Sequence, residues 1–307
     1  MLAPSRSATD TDFNHGIFFP ASIQVAAEQV AQIATSALWA EATLTPKPAL
    51  VDRRGPGAHS DLTLRLMHRS AHSLNPTFQA IAEASWGKRP SQALREDLAE
   101  IGRTGECRML AATDGINTHR GAIWVLGLLV AGAAMDAFCG SVDSIAKLAS
   151  ELARFPDRRV SSTSGTNGSR ACERFGVHGA RGQAYQGFPH VLKIGLPALL
   201  NSRAHGISEM HARLNALVAI MASLDDTCLL HRGGMTALTR AKRGARTVLE
   251  AGGSSTPVGW AALLGLDDDL LRCNASPGGS ADLLAATLFL DSLMHCLQEF
   301  ASTEYAF

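Results

Sequence analysis

Five short islands hold most of the residues able to do chemistry. The first spans residues 41–61, E-A-T-L-T-P-K-P-A-L-V-D-R-R-G-P-G-A-H-S-D. Pro46 and Pro48 restrict the backbone on either side of Lys47, and Pro56 between Gly55 and Gly57 calls for a turn. His59 and Asp61 follow at once. A cation, an imidazole and several carboxylates on stiff, non-repetitive backbone read as the wall of a site. Asp52 fits either a ligand contact or an ion pair with Arg53 or Arg54.

The second island, residues 115–121 (G-I-N-T-H-R-G), sets Asn117, Thr118, His119 and Arg120 at the start of an apolar helix. Free amides there favour anions, although capping with snorkelling polar side chains is the simpler account. In the third, residues 176–191, glycines space His178, Arg181, Gln183 and His190. An Arg fork suits a phosphate, and a Gly-rich turn with a surface Arg explains the pattern equally well. The fourth, S-L-D-D-T-C-L-L-H-R-G-G (residues 223–234), carries adjacent carboxylates. Asp225 stands four residues after Met221 and seven after Val218, which puts it on the apolar face of a helix. Asp225 and Asp226 near a helix C-terminus oppose the dipole and repel each other. A divalent cation would offset that, and Arg232 as an ion-pair partner competes as the explanation. In the fifth, N-A-S-P-G-G-S-A-D-L-L-A (residues 274–285), a Pro-Gly-Gly turn opens a helix. Ser280 suits a cap there, and Asp282 suits a cap or a metal ligand.

Helices must position these islands. Apolar residues recur at Ile23, Ala27, Val30, Ala34, Ala37 and Leu38, one helical face. Residues 91–110 read as an amphipathic helix that breaks at Gly102 or Gly105. Residues 120–135 read as a buried core helix capped by Asn117 and Thr118, and residues 141–154 as a helix ended by Pro156. Leu214, Leu217, Val218, Met221 and Leu224 share a face, and a last helix follows Ser280 toward Phe300. The chain is rich in Ala and Leu and poor in alternation, so the fold class expected is all-α, with the site built from loops and helix ends. Residues 1–20 read as a flexible N-terminal segment, 21–307 as a single domain, and the Gly/Ser-rich stretch 160–170 as a mobile loop.

With 46% hydrophobic residues among 307, a sizeable core is available. Lys+Arg and Asp+Glu both number 28, which argues against a nucleic-acid protein. The six cysteines are scattered without a C-x-x-C pair, so a reducing cytoplasm is expected rather than a disulfide framework. No signal peptide is read at the N-terminus, and the run 121–135 is short of the ~20 residues of a membrane span. No membrane association is expected. Walker A, GxGxxG, H-E-x-x-H and G-x-S-x-G elements are missing, and the convergent Asp, His, Arg and Lys suit a magnesium–phosphate ligand.

Read together, T-P-K-P-A-L-V-D with G-A-H-S-D, N-T-H-R-G-A, G-A-R-G-Q-A with G-F-P, D-D-T with R-G-G, and S-P-G-G-S-A-D-L-L-A resemble, in order and spacing, the triphosphoribosyl-dephospho-CoA synthases. The likeness covers roughly residues 41–291, and D-D-T-C-L-L-H-R-G-G is nearer the malonate decarboxylase branch than the citrate lyase branch. It implies an all-α enzyme that moves the triphosphoribosyl part of ATP to the 2′-hydroxyl of 3′-dephospho-CoA and releases adenine. The product would be the prosthetic-group precursor that a separate transferase attaches to the decarboxylase acyl-carrier subunit. Two positions depart from the family: Gln183 where Glu is frequent, and Asp225 where many members carry Glu.

The resemblance further implies Mg²⁺ and a division of roles. Asp61, Asp225, Asp226 and Asp282 would serve the metal or the developing ribosyl cation. His59 and His119, with Asp61, Asp225 and Asp226, are the candidate catalytic groups. Lys47, Asn117, Arg181, Arg232 and Ser280 would bind ATP and its phosphates. A homodimer is left open. Two other readings stand beside it: a magnesium-dependent hydrolase of ADP-ribose-like or nucleoside phosphate substrates, and a non-catalytic helical assembly factor for the decarboxylase.

Overall fold

Hydroxyl caps write the helix starts. Ser22, Thr63, Ser91, Ser141, Thr166 and Thr256 each accept a hydrogen bond from the amide three residues on, satisfying one of the orphan donors of a first turn. The computed structural model describes residues 22–137, 140–159 and 165–304, with side chains to residue 297. Among these the helices are α1 (Ile23–Thr43), α2 (Leu64–Ser73), α3 (Asn75–Ser85), α4 (Gln92–Ala112), α5 (Arg120–Met135), α6 (Val142–Ala153), α7 (Asn167–Phe175), α8 (Gly179–Tyr185), α9 (Leu196–Ala204), α10 (Glu209–Met221), α11 (Thr227–Glu250), α12 (Pro257–Arg272) and α13 (Gly278–Glu304). A π-helical turn, Val191–Gly195, leads into α9. No strand occurs among the described residues, and the all-α class stands. The expected flexible segment 1–20, Cys139 and residues 160–164 lie outside the described residues.

The apolar run that begins at Gly121 is α5, buried from Ala122 to Met135 but for Trp124. It packs against α3, α6 and α13, and α1 closes over α3 and α13. Phe78, Leu126, Leu129 and Phe289 are shut off from water in this core, each worth about 1.5–3 kcal/mol of transfer free energy. α13 is long and apolar enough over Gly278–Leu297 to cross a membrane by length and composition, yet most of it is buried against α1, α5 and α10.

Three expectations need correction. α4 does not break at Gly102 or Gly105; it continues to Ala112. A Cβ at Gly105 would stand 2.7 Å from Thr77 Oγ1, so this glycine serves the close approach of α3 to α4. The polar stretch before α7 ends sooner than expected, because Thr166 caps a helix that runs from Asn167. α10 stops at Met221, so the helical spacing that put Asp225 on the apolar face does not extend to it. Asp225 and Asp226 open α11 rather than close α10, at a helix end that favours carboxylates.

Candidate functional site

The loop after α1 is fixed from both ends. Asp52 accepts the amide of Lys47 at 2.8 Å and pairs with Arg54 at 2.8 Å. Arg54 also pairs with Asp267 on α12 at 2.6 Å, and the other oxygen of Asp267 accepts the amide of Ala49 at 2.7 Å. Asp52 is therefore the partner of Arg54. Gly57, at φ +60°, lies against the carbonyls of Ala49 and Leu50 with no room for a Cβ, which only glycine tolerates.

That loop sends Lys47 inward. Its side chain is 1% exposed, and Nζ donates to Glu41 Oε1 at 2.5 Å and to the Glu41 carbonyl at 2.6 Å. The rigid cation is thus one half of a buried ion pair at the end of α1. His119, 3% exposed, precedes α5. Its Nδ1 lies 2.7 Å from Ser70 Oγ, which lies 2.5 Å from Thr118 Oγ1. Its Nε2 is buried without a partner. Burial, then charge repulsion from Lys47 and His68, push the His119 pKa down to about 3, so the ring is neutral.

Asp282, in the first turns of α13, meets Gly121 in the first turn of α5. A Cβ on Gly121 would collide with Asp282 Oδ2. The half-buried Asp282 carboxylate makes no hydrogen bond or ion pair among the described residues. Burial raises its pKa well above the usual range, and the neighbouring Glu41 and Asp226 add to this. Glu41, Lys47, His119 and Asp282 thus form an inner polar cluster where α1, α5 and α13 meet.

Asp226 has a different task. Oδ1 accepts from the amides of Cys228 (2.9 Å), Leu229 (3.4 Å) and Gly279 (3.2 Å). Oδ2 accepts from the amide and the hydroxyl of Ser280, at 2.8 and 2.9 Å. One buried carboxylate caps α11 and anchors the start of α13, with Ser280 spent on it. Burial pushes its pKa up against these five hydrogen bonds.

A second set lines the rim. Arg232 donates to the Ala58 carbonyl at 2.9 Å and to His59 Nδ1 at 2.8 Å. Because a guanidinium can only donate, His59 Nδ1 is the acceptor and Nε2 carries the ring proton. Burial and Arg232 lower the His59 pKa to about 4. The thiol of Cys228 sits between Asp226, Asp282 and Arg232, and burial raises its pKa well above normal. Asp61 is exposed beside His59. Asn117 is exposed and accepts the Arg120 amide at 3.3 Å, so it helps cap α5 as expected.

The remaining candidates stand apart from the inner cluster. Asp225 is exposed and pairs with Lys242 at 2.5 Å, so Lys242, not Arg232, answers its charge. His190 lies near that pair, and Gln183 Oε1 accepts its amide at 3.3 Å. Arg181, exposed on α8, has no ion-pair partner among the described residues and lies near Arg95 and Cys172. The α7–α8 segment rests on the start of α11, with Gly168 and Gly179 against Thr227.

The expected magnesium ligands are not gathered. Among the described residues no three His, Cys, Asp or Glu side chains are placed to hold a metal ion. Asp225 is committed to a lysine and Asp226 to five donors, so the adjacent pair does not fit a resident cation. Sequence reasoning passed over Glu41 and Ser70. Glu41 is the first residue of the first island, but no role was read for it. Nothing local marks Ser70, which meets His119 only in the folded chain.

The family described as "CitG: ATP:dephospho-CoA triphosphoribosyl transferase" matches residues 27–300. A protein of Stutzerimonas stutzeri named "Probable 2-(5''-triphosphoribosyl)-3'-dephosphocoenzyme-A synthase" is 56% identical over 269 residues, 87% of this chain and 92% of the relative. One of Klebsiella pneumoniae, named "2-(5''-triphosphoribosyl)-3'-dephosphocoenzyme-A synthase", is 54% identical over 262 residues, 85% of this chain and 93% of the relative. No solved structure matches. The match spans the whole inner polar cluster, from Glu41 to Asp282, and the chain belongs to the CitG family of ATP:dephospho-CoA triphosphoribosyl transferases.

Proposed function

We propose that the inner polar cluster is where the ribose–adenine bond of ATP breaks and the 2′-hydroxyl of dephospho-CoA takes the triphosphoribosyl group. The observation that carries this reading is the Asp282 carboxylate, unpartnered and half-buried against Gly121, in the same cluster as the orphaned Nε2 of His119. As the C–N bond breaks, positive charge develops on the ribose and the bond electrons go to adenine. Asp282, whose protonated form is favoured by burial and by the neighbouring Glu41 and Asp226, gives its proton to a ring nitrogen of the departing base. The carboxylate it leaves faces the cationic ribose. It then takes the proton of the 2′-hydroxyl as that oxygen bonds to the anomeric carbon, and the enzyme is restored. The Glu41–Lys47 pair keeps a fixed dipole beside this exchange, already oriented before substrate binds.

The triphosphate is a handle rather than a reacting group. In this reading Arg232 meets it at the rim, with the Nε2–H of His59 as a further donor and Asn117 and Asp61 at the edge, while Arg181 meets its far end from α8. Mg²⁺ is held by the substrate's phosphates. Binding energy from the handle orients the ribose for attack. Residues 21–307 act as one catalytic unit in the cytoplasm. The product is the precursor of the malonate decarboxylase prosthetic group, passed to a separate transferase that acts on the acyl-carrier subunit.

Mass spectrometry of the products from ATP, dephospho-CoA and Mg²⁺ tests the reading. The expected products are adenine and the ATP-derived triphosphoribosyl adduct of dephospho-CoA. Adenine release from ATP alone would favour a hydrolase, and unchanged ATP in the full mixture would favour an assembly factor.

A further inference from the structure

His119 is a buried imidazole with one nitrogen accounted for and one not. A buried polar atom without a partner is rare in a folded protein and calls for a reason. Here the ring is not loose. Its amide points at Met109 Sδ at 3.2 Å, and Nδ1 is held by Ser70 Oγ at 2.7 Å. Ser70 is fully buried on α2 and has a second partner of its own, Thr118 Oγ1 at 2.5 Å. Thr118 is the residue just before His119, so the relay runs from the α5 start to α2 and back. The Ser70 hydroxyl carries one proton and stands between two partners. It gives that proton to one and accepts from the other, so the Thr118 hydroxyl and the His119 tautomer are set together.

We propose that Ser70 is a positioning residue that holds His119 in a single neutral tautomer and presents Nε2 to the ribosyl-adenine portion of ATP. This rests on the reaction assigned above to the inner cluster. A neutral imidazole suits the task, because a charged ring beside Lys47 would be repelled and would add to the positive charge developing on the ribose. Nε2 hydrogen-bonds the bound nucleotide, and its missing partner is the substrate. Truncating Ser70 frees Nδ1 and lets the ring sample both tautomers, so the bond to substrate weakens while the phosphate handle at the rim is untouched.

The test uses the full chain labelled with ¹⁵N-histidine, with His119 assigned from the His119→Gln variant. In the wild type, ring nitrogen shifts should report one tautomer for His119, and added ATP should move Nε2 while Nδ1 stays near its free value. Ser70→Ala should mix the tautomers and lower kcat by roughly tenfold or more, as loss of an orienting partner does, with KM for ATP little changed. Ser70→Cys, which keeps a weak donor, should fall between. An Nε2 resonance indifferent to ATP would overturn the proposal, as would a Ser70→Ala enzyme with wild-type kcat. If Ser70→Ala fails to fold, the wild-type Nε2 response still decides. A wild type that binds ATP through Nε2 but forms no triphosphoribosyl product would sink the assigned reaction and leave this contact standing.

Discussion

Asp226 receives both the backbone amide and the hydroxyl of Ser280 on one oxygen, while its other oxygen caps α11. The two starts of α11 and α13 are therefore tied to a single buried carboxylate. Asp226→Asn puts an amide NH₂ against backbone N–H groups and should cost about 2–4 kcal/mol of stability. Asp225→Asn should stay within ~1 kcal/mol, since it loses only an exposed pair with Lys242. Urea denaturation of the two variants compares them directly, and equal losses would contradict the assignment.

Gly121→Ala should lower turnover much more than it lowers stability. The added methyl meets the far end of the Asp282 side chain, which can swing away and spare the helix contact. Displacing a group that moves a proton in the transition state costs about 10²–10⁴-fold in rate. The check is kcat beside the thermal melt; an active Gly121→Ala enzyme would remove Asp282 from the chemistry.

The Glu41–Lys47 pair predicts a non-additive result. Glu41→Gln leaves a buried ammonium without its counter-charge and should cost about 3–5 kcal/mol. Glu41→Gln with Lys47→Met should recover much of that stability, because both charges are then gone. Activity should not return in the double variant. Recovery of both together would make the pair purely structural.

Acid should weaken the fold through His119. Its ordinary pKa of 6.5 falls to about 3 on folding, so below pH 6.5 the unfolded chain takes up a proton that the folded chain refuses. This contribution is complete above pH 6.5 and is lost as pH falls toward 3, by roughly 2–3 kcal/mol between pH 7 and 4.5. His59, lowered to about 4, acts in the same direction. Asp282, with its raised pKa, acts oppositely: its proton stabilises the fold until pH rises through that raised value. Urea midpoints of wild type and His119→Gln at the two pH values should show a smaller acid loss in the variant.

The helices were legible wherever apolar spacing was long, as in α1, α5 and α13. Charge placement was legible only where it was local. The Asp225–Asp226 pair was assigned to the wrong helix end because α10 stops four residues before Asp225, and the apolar spacing carried no sign of that stop. Lys47 was read as a rigid phosphate contact, and Glu41, the carboxylate it meets in the fold, was given no part in that reading. Ser70 reaches His119 across 49 positions of sequence, a contact that no periodicity encodes.

The bond from Arg54 to Asp267 joins positions 213 residues apart, and Asp282 lies farther along still. The loop that aims Lys47 is thus set by chain that is synthesised more than 200 residues after it. Contacts of such long range are slow to form and form together. A nascent chain halted before α12 would lack both Asp267 and Asp282, leaving the Lys47 loop unbraced and the proposed site incomplete.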